Sequence, residues 1–285
     1  MRTISNSRSV QQKRINKSVT FIILMLITIG QLFPLVWLVV FSLNKSGDLF
    51  GSHLLKWPNP PQWINYELAW TQGNIPSYLF NSILVTFFTI SLTVILSSML
   101  GYVFARMQWK LKEVVFTILL LGMMIPIHAT LLPNFVIFKN IGLYDTYSGL
   151  IIPYVAFQLP ISTLIMRGFM STLPKALEEA AVIDGCNIYQ IIFKIILPIT
   201  KPAMVTVSVM TFIAAWNEFI MAATFLGSEN KKTLAFSVFN FTGQYSSNYA
   251  VQFAVMTLVA IPSVIVYIIL SEQVARGVTE GAVKG

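Results

Sequence analysis

Of the 285 residues, 55% are hydrophobic and only 11% are charged, and the mean hydropathy is +0.72. Soluble domains carry roughly 25% charged residues, so this composition excludes a large soluble core and implies a polytopic membrane protein. The net charge of +8 does not require a nucleic-acid partner, because the basic residues flank the apolar runs, where they set orientation and meet anionic lipid headgroups.

Residues 1–18 are polar and basic, with Arg2, Arg8, Lys13, Arg14 and Lys17 and no acid. Residues 19–43 form a first apolar run, long enough for the roughly 20 residues a span needs. It is too long for a signal-peptide core and lacks a small-residue cleavage end, so it reads as an uncleaved span. Residues 44–77 follow as a polar interval outside the membrane, broken by Pro58, Pro60 and Pro61. Its Trp57, Trp63, Tyr66 and Trp70 suit either an interfacial belt or a docking surface.

A second span is predicted over 78–105. Thr93, Ser97, Gly101 and Ala105 recur at i+4 and give one face a small-residue stripe for close helix packing. A third, over 114–138, contains Pro126 and Pro133 and should kink. His128 lies between these prolines, as a functional candidate or a partner in an interhelical hydrogen bond. The fourth span is about 148–166 and the fifth about 202–226. The sixth, 250–271, is followed by a tail at 272–285. Together they predict an all-α fold with six transmembrane helices, and residues 78–271 form its core.

Six spans place both termini on one side. Fourteen of the nineteen basic residues fall in the two tails and the 106–113 and 167–201 loops. Basic loops stay inside, so both termini and the 167–201 loop are expected in the cytoplasm.

The single cysteine, Cys186, excludes an intrachain disulfide and a multi-cysteine metal site. His53 and His128 lack metal-ligand spacing. None of the fifteen glycines precedes Lys-Ser or Lys-Thr. Without that phosphate-binding pattern, any work driven by ATP needs a separate ATPase subunit. With no nucleophile triad either, the chain is not expected to be an enzyme or to bind a cofactor itself.

Within 167–201, Ser171 or Thr172 can cap a helix that starts near Pro174. Lys175–Asp184 has strong helix formers and no breaker. Leu173, Leu177, Ala180 and Ala181 share one side, and the alanines allow close approach of a partner. Gly185 ends the helix by adopting positive φ, and Ile188–Leu197 reads as a second, apolar helix. Residues alone leave two readings: an amphipathic linker lying on the membrane and a short helix presented to a soluble partner. In the fifth span, Glu218 is the only deeply placed acid, so it is paired, protonated or facing water. Trp216, Asn217 and Glu218 suit a sugar path, by stacking and hydrogen bonding. Equally, Glu218 suits a polar lock between helices.

Glu179, Ala180, Ala181, Gly185, Ile195, Leu197 and Pro198, at their spacing, match the EAA signature of bacterial ABC importer permeases. Residues 124–154, AAWNEF (214–219) and the ending GAVKG (281–285) are similar to MalG-type permeases of the carbohydrate uptake class. The resemblance runs from the first span to the C-terminus and leaves out the N-tail and the outer loops. It implies a cytoplasmic-membrane permease that pairs with a second homologous permease, two ATP-binding subunits and an extracellular solute-binding protein. ATP and Mg would sit on the partner subunits, and the cargo would be a carbohydrate, an oligosaccharide or related glycoside. The EAA loop would be a coupling helix, with Glu179 facing the ATPase and Glu178 as a secondary candidate. Ala180 and Ala181 would pack closely there, and Gly185 would make the turn. Gly281, Ala282, Val283, Lys284 and Gly285 would reach the ATPase dimer. An importer of the same type for another solute, such as a phosphorylated polyol, shares this loop. An ion-coupled transporter or channel is the rival from another class.

Overall fold

The computed structural model describes residues 2–48, 57–241 and 248–282, and every regular element among them is helical. The chain divides into two compact units, Met1–Gly73 with Val238–Leu258, and Asn74–Ser237 with Val259–Gly285.

In the first unit, α1 (Arg2–Ser42) carries the apolar stretch Lys17–Ser42. Its 26 residues reach about 39 Å at the α-helical rise, enough for a bilayer core. Phe21 and Leu26 stand exposed on it, as lipid-facing side chains do. Near its end Trp37, Phe41 and Phe253 pack as an aromatic trio, with ring centroids 4.2–5.5 Å apart. The described part of the polar interval that follows is more regular than its prolines suggest. It contains α2 (Ile64–Gln72). The Asn65 amide donates to the carbonyls of Ser42 (2.8 Å) and Asn44 (2.9 Å), and the hydroxyls of Ser42 and Tyr66 lie 2.6 Å apart. Those bonds satisfy the frayed end of α1, whose last carbonyls have no helical partner. Trp57, Trp63 and Trp70 remain exposed.

The second unit is built on α3 (Ile75–Arg106) and α6 (Tyr147–Thr172), which pack side by side along much of their length. Tyr147 meets Asn81 near their beginnings and Met166 meets Gly101 near their ends, so the two helices run in the same direction. The small-residue stripe makes this possible. Thr93 and Ser97 are fully buried, and a Cβ at Gly101 would lie 2.6 Å from the Met166 Cβ.

The third apolar run is not one kinked helix. It is α4 (Lys112–Leu121) and α5 (Leu131–Asn140), with short 3₁₀ turns between them. Lys112–Met124 and Ile127–Asn140 meet at 89°. Pro126 has no N–H to continue the ladder, and it holds Ile125 in an extended conformation (ψ 116°).

After α6 come α7 (Ala176–Ile183) and α8 (Ile188–Gln190). A π-helical turn (Ile191–Ile196) and α9 (Leu197–Ile199) lead into α10 (Lys201–Trp216) through a 72° bend. The predicted fifth span is itself interrupted farther on. α10 stops at Trp216 and the chain resumes as α11 (Ile220–Phe225). α12 (Tyr249–Ala282) closes the described chain and runs past the predicted span into the tail.

Among the described residues, four helices are long and apolar enough to cross a membrane, or up to six if each bent pair is one span. Packing between α3, α6 and α10 makes two apolar clusters. One, around Val85, Leu150, Tyr154, Met221 and Phe225, lies toward the start of α3; the other, around Tyr102, Met166, Met170, Ile196 and Val207, lies toward its end.

Candidate functional site

The EAA segment sits at the C-terminal end of α3. α7 has Glu178 and Glu179 in its first turn, where the positive end of the helix dipole favours acids. The predicted side-chain cap is absent. The Ser171 and Thr172 hydroxyls donate back into α6, to the Arg167 and Phe169 carbonyls, as hydroxyls often do inside helices. Gly185 ends α7 with φ +79°, a conformation that costs a side-chain-bearing residue but not glycine. Around it Asp184 N–H donates to Ala180 (3.0 Å), Gly185 to Val182 (3.0 Å) and Cys186 to Ala181 (2.9 Å). These bonds satisfy the last carbonyls of the helix. Asn187 and Gln190 then form a reciprocal capping box that starts the next helical stretch.

The exposure pattern separates the signature residues. Glu179, Ala180 and Gly185 are exposed, while Ala181 is buried at 3% within the Tyr102–Met166 cluster. The two alanines therefore face different ways. Val182 and Ile183 continue the outer surface, Ile183 at 85% exposure. Ile195 and Leu197 are half-buried and Pro198 is exposed.

Glu178 turns inward, where its Oε1 lies 3.3 Å from Nε of Arg106, whose side chain is 6% exposed. Arg106 Nη2 donates to the carbonyls of Leu173 (2.9 Å) and Pro174 (3.4 Å). Nearby, Arg167 reaches both Glu113 oxygens, at 2.7 and 3.0 Å, and lies over the Phe116 ring at 3.9 Å.

The break between α10 and α11 holds the second group of candidates. The Glu218 carboxylate accepts from the Met221 N–H (2.8 Å), the Ala222 N–H (3.2 Å) and the Tyr154 hydroxyl (2.5 Å). Trp216 is buried and stacks on Phe212 at 5.3 Å, while Asn217 is exposed and its amide donates to the Ile213 carbonyl (2.9 Å). The side chain is thus held by three hydrogen-bond donors from α11 and α6. The carboxylate takes the place of the lost helix-ladder acceptors and ties the break to α6. His128 sits in a 3₁₀ turn and is exposed.

At the opposite end of α3 lies a polar cluster that the sequence did not reveal. Asp145, at φ +57°, accepts from the Gly227 N–H (3.0 Å), the Ser228 N–H (2.9 Å), the Ser228 hydroxyl (2.5 Å) and Lys231 Nζ (3.1 Å). The Ser228 bonds, helped by Lys231, hold its carboxyl down at about 2. Glu229 accepts from the Tyr78 hydroxyl and from Lys232 Nζ (2.5 Å). Lys232 first, then Tyr78, lowers its carboxyl from the usual range. Asn81 donates to the carbonyls of Asn230 and Lys232, both at 2.9 Å, and accepts from Tyr147 (2.8 Å).

Gly281 and Ala282 are the last residues of α12, whereas Val283, Lys284 and Gly285 lie outside the described residues. Among the described residues no group of three His, Cys, Asp or Glu side chains could hold a metal ion.

Residues 93–280 match the family described as "Binding-protein-dependent transport system inner membrane component". The chain is 34% identical over 273 residues to the probable ABC transporter permease protein YurM of Bacillus subtilis (strain 168), covering 95% of this chain and 90% of that protein. It is 28% identical over the full length of both chains to the sulfoquinovosyl glycerol transport system permease protein SmoH of Agrobacterium fabrum (strain C58 / ATCC 33970). Its fold matches a crystal structure of a bacterial ABC transporter involved in the import of the acidic polysaccharide alginate. The TM-score is 0.80 at 22% identity, over 92% of this chain and 97% of that one.

Proposed function

The chain belongs to the binding-protein-dependent transport system inner membrane components, and from that membership we propose that it carries a carbohydrate through an ATP-driven importer. The observation that carries the mechanism is the presentation of α7. A short helix, fixed at both ends by bonded turns, exposes Glu179 and Ala180 beside Val182 and Ile183. A rigid element of this kind can pass a rigid-body movement from a soluble partner to the helices that carry it.

In this reading α7 docks on an ATP-binding subunit, and Glu179 supplies the acidic contact. Two such subunits hold ATP and Mg, and a second, homologous permease completes the pathway. The abundance of basic residues in the tails and the 167–201 loop supports a cytoplasmic position for both termini and for α7. An extracellular binding protein delivers the sugar to the other face. The glycoside and polysaccharide cargoes named for the relatives support the substrate class. Glu218 acts as a lock on the α10–α11 break, because its oxygens already serve α11 and Tyr154.

The test is reconstitution of the complete complex in proteoliposomes, with the binding protein present. ATP-dependent sugar uptake is expected, and a sugar screen for stimulated ATPase activity identifies the cargo. Uptake that continues with the ATPase inactivated would favour an ion-coupled transporter instead. For Glu218→Gln, uptake falls together with thermal stability while the set of stimulating sugars stays the same. A changed sugar preference would move Glu218 into the path.

A further inference from the structure

Arg106 ends a span, as basic residues often do, but its surroundings are unusual for one. It is the last residue of α3, and its side chain is 6% exposed. Leu173, whose carbonyl it engages at 2.9 Å, is the C-cap of α6. A cation there answers the negative end of the α6 dipole. Glu178, 3.3 Å away, lies in the first turn of α7. One guanidinium thus joins the ends of three helices. Its planar fork allows this, whereas a lysine ammonium is a single point charge.

We propose that Arg106 is the positioning residue that makes α7 move with α3 and α6, with Glu178 as its counterpart on α7. The inference rests on the reading of α7 as a coupling helix and divides the labour of its two acids. Glu178 faces inward and binds the helix to its own chain; Glu179 faces outward and binds the partner. Without the internal tie, α7 still docks, but its displacement is absorbed in the 173–175 connection and does not reach the transmembrane helices.

The neighbouring pair Arg167–Glu113 provides a control. It has comparable charge and shorter contacts, but Glu113 is 67% exposed. Exposed pairs contribute little.

The experiment uses the whole reconstituted complex and measures sugar molecules imported per ATP hydrolysed, alongside co-purification of the ATPase subunits. In both Arg106→Gln and Glu178→Gln the ATPase subunits should co-purify, while sugar imported per ATP falls roughly tenfold, the factor that 1.4 kcal/mol represents. The double variant should be no worse than Arg106→Gln alone, because that variant already removes the tie to Glu178. Arg167→Gln should keep the wild-type ratio. Should Arg106→Gln fail to fold, Glu178→Gln decides alone, since it keeps the shape of the side chain and the arginine. A wild-type ratio in Glu178→Gln overturns the inference, and so do additive losses in the double variant. If the wild-type complex itself shows no ATP-dependent uptake, the proposed function fails instead.

Discussion

The two ends of α3 solve opposite problems. At its beginning, the segment 227–234 is bound to the rest of the unit by bonds from Asn81 and Tyr78 and by its own N–H groups donating to Ser82 and Asp145. That end closes on itself. At its end, α7 is held from within by Arg106 and Ala181, yet Ile183, Tyr189 and Phe193 stand 85%, 70% and 57% exposed. Exposed apolar side chains beside exposed acids are poor in water and suit a partner surface. The difference teaches where movement can enter. An end bound to its own unit through many backbone and charged-group bonds resists displacement, whereas an end that leaves part of its surface unmatched can be driven by whatever covers it.

The largest effects are therefore expected at α7. In Gly185→Pro, proline cannot adopt the positive φ and removes the N–H that bonds to Val182. Glu179→Lys keeps the backbone but reverses the exposed charge. Uptake should fall to background in both. ATPase co-purification should be lost or the ATPase should run without transport, measured on the purified complex. Normal uptake in both variants would remove α7 from coupling and break the contrast between the two ends.

Asp145→Asn comes next and is read in stability. The amide cannot accept from all the groups that now bond to the carboxylate, and each unsatisfied partner costs about 1–3 kcal/mol. Melting temperature in detergent should fall by roughly 2–4 °C for each kcal/mol lost. The pH dependence has a definite sign. Asp145 has a folded value of about 2, below the ordinary aspartate value of about 3.9. Its contribution is complete above the ordinary value and is lost as pH falls through the folded one. The melting difference between wild type and Asp145→Asn should stay flat down to about pH 5 and shrink only below about pH 4. A difference that fades near neutral pH would mean the carboxylate is not held as described.

Some of this was legible beforehand, and the reasons differ by residue. Gly185 could be read because positive φ has few occupants, and its spacing from Glu179 is local. The stripe through Thr93, Ser97 and Gly101 could be read because close packing demands small side chains. The inward turn of Ala181 could not, because Ala180 and Ala181 are alike in size and polarity and only packing shows which one is covered. Likewise on α3, Phe80 and Phe87 are exposed while Tyr78 and Val85 are buried. Asp145 with Ser228, 83 residues apart, and Arg106 with Leu173, 67 apart, are partners only once the helices have packed. Pro126 signalled a kink but not its size, which is an 89° break.

The smallest effect separates charge from backbone in the closed end. Lys232 looks important, since its Nζ pairs with Glu229 at 2.5 Å and lies 3.8 Å from the Phe236 ring centroid. Its link to α3, however, is the backbone carbonyl that accepts from Asn81. Lys232→Met removes the charge and leaves that carbonyl in place. Glu229 is 57% exposed, and such a pair is worth about 0.2–1 kcal/mol. Melting should drop by no more than about 4 °C, and uptake should be unchanged. Asn81→Ala should cost more, because it frees two carbonyls and the Tyr147 hydroxyl at once. If Lys232→Met proved the more damaging, the closed end would be held by charge. Added salt would then loosen it, since ions screen exposed pairs but not buried backbone bonds. With the order as expected, the closure is carried by the Asn81 amide and the carbonyls it gathers, and it should be indifferent to salt.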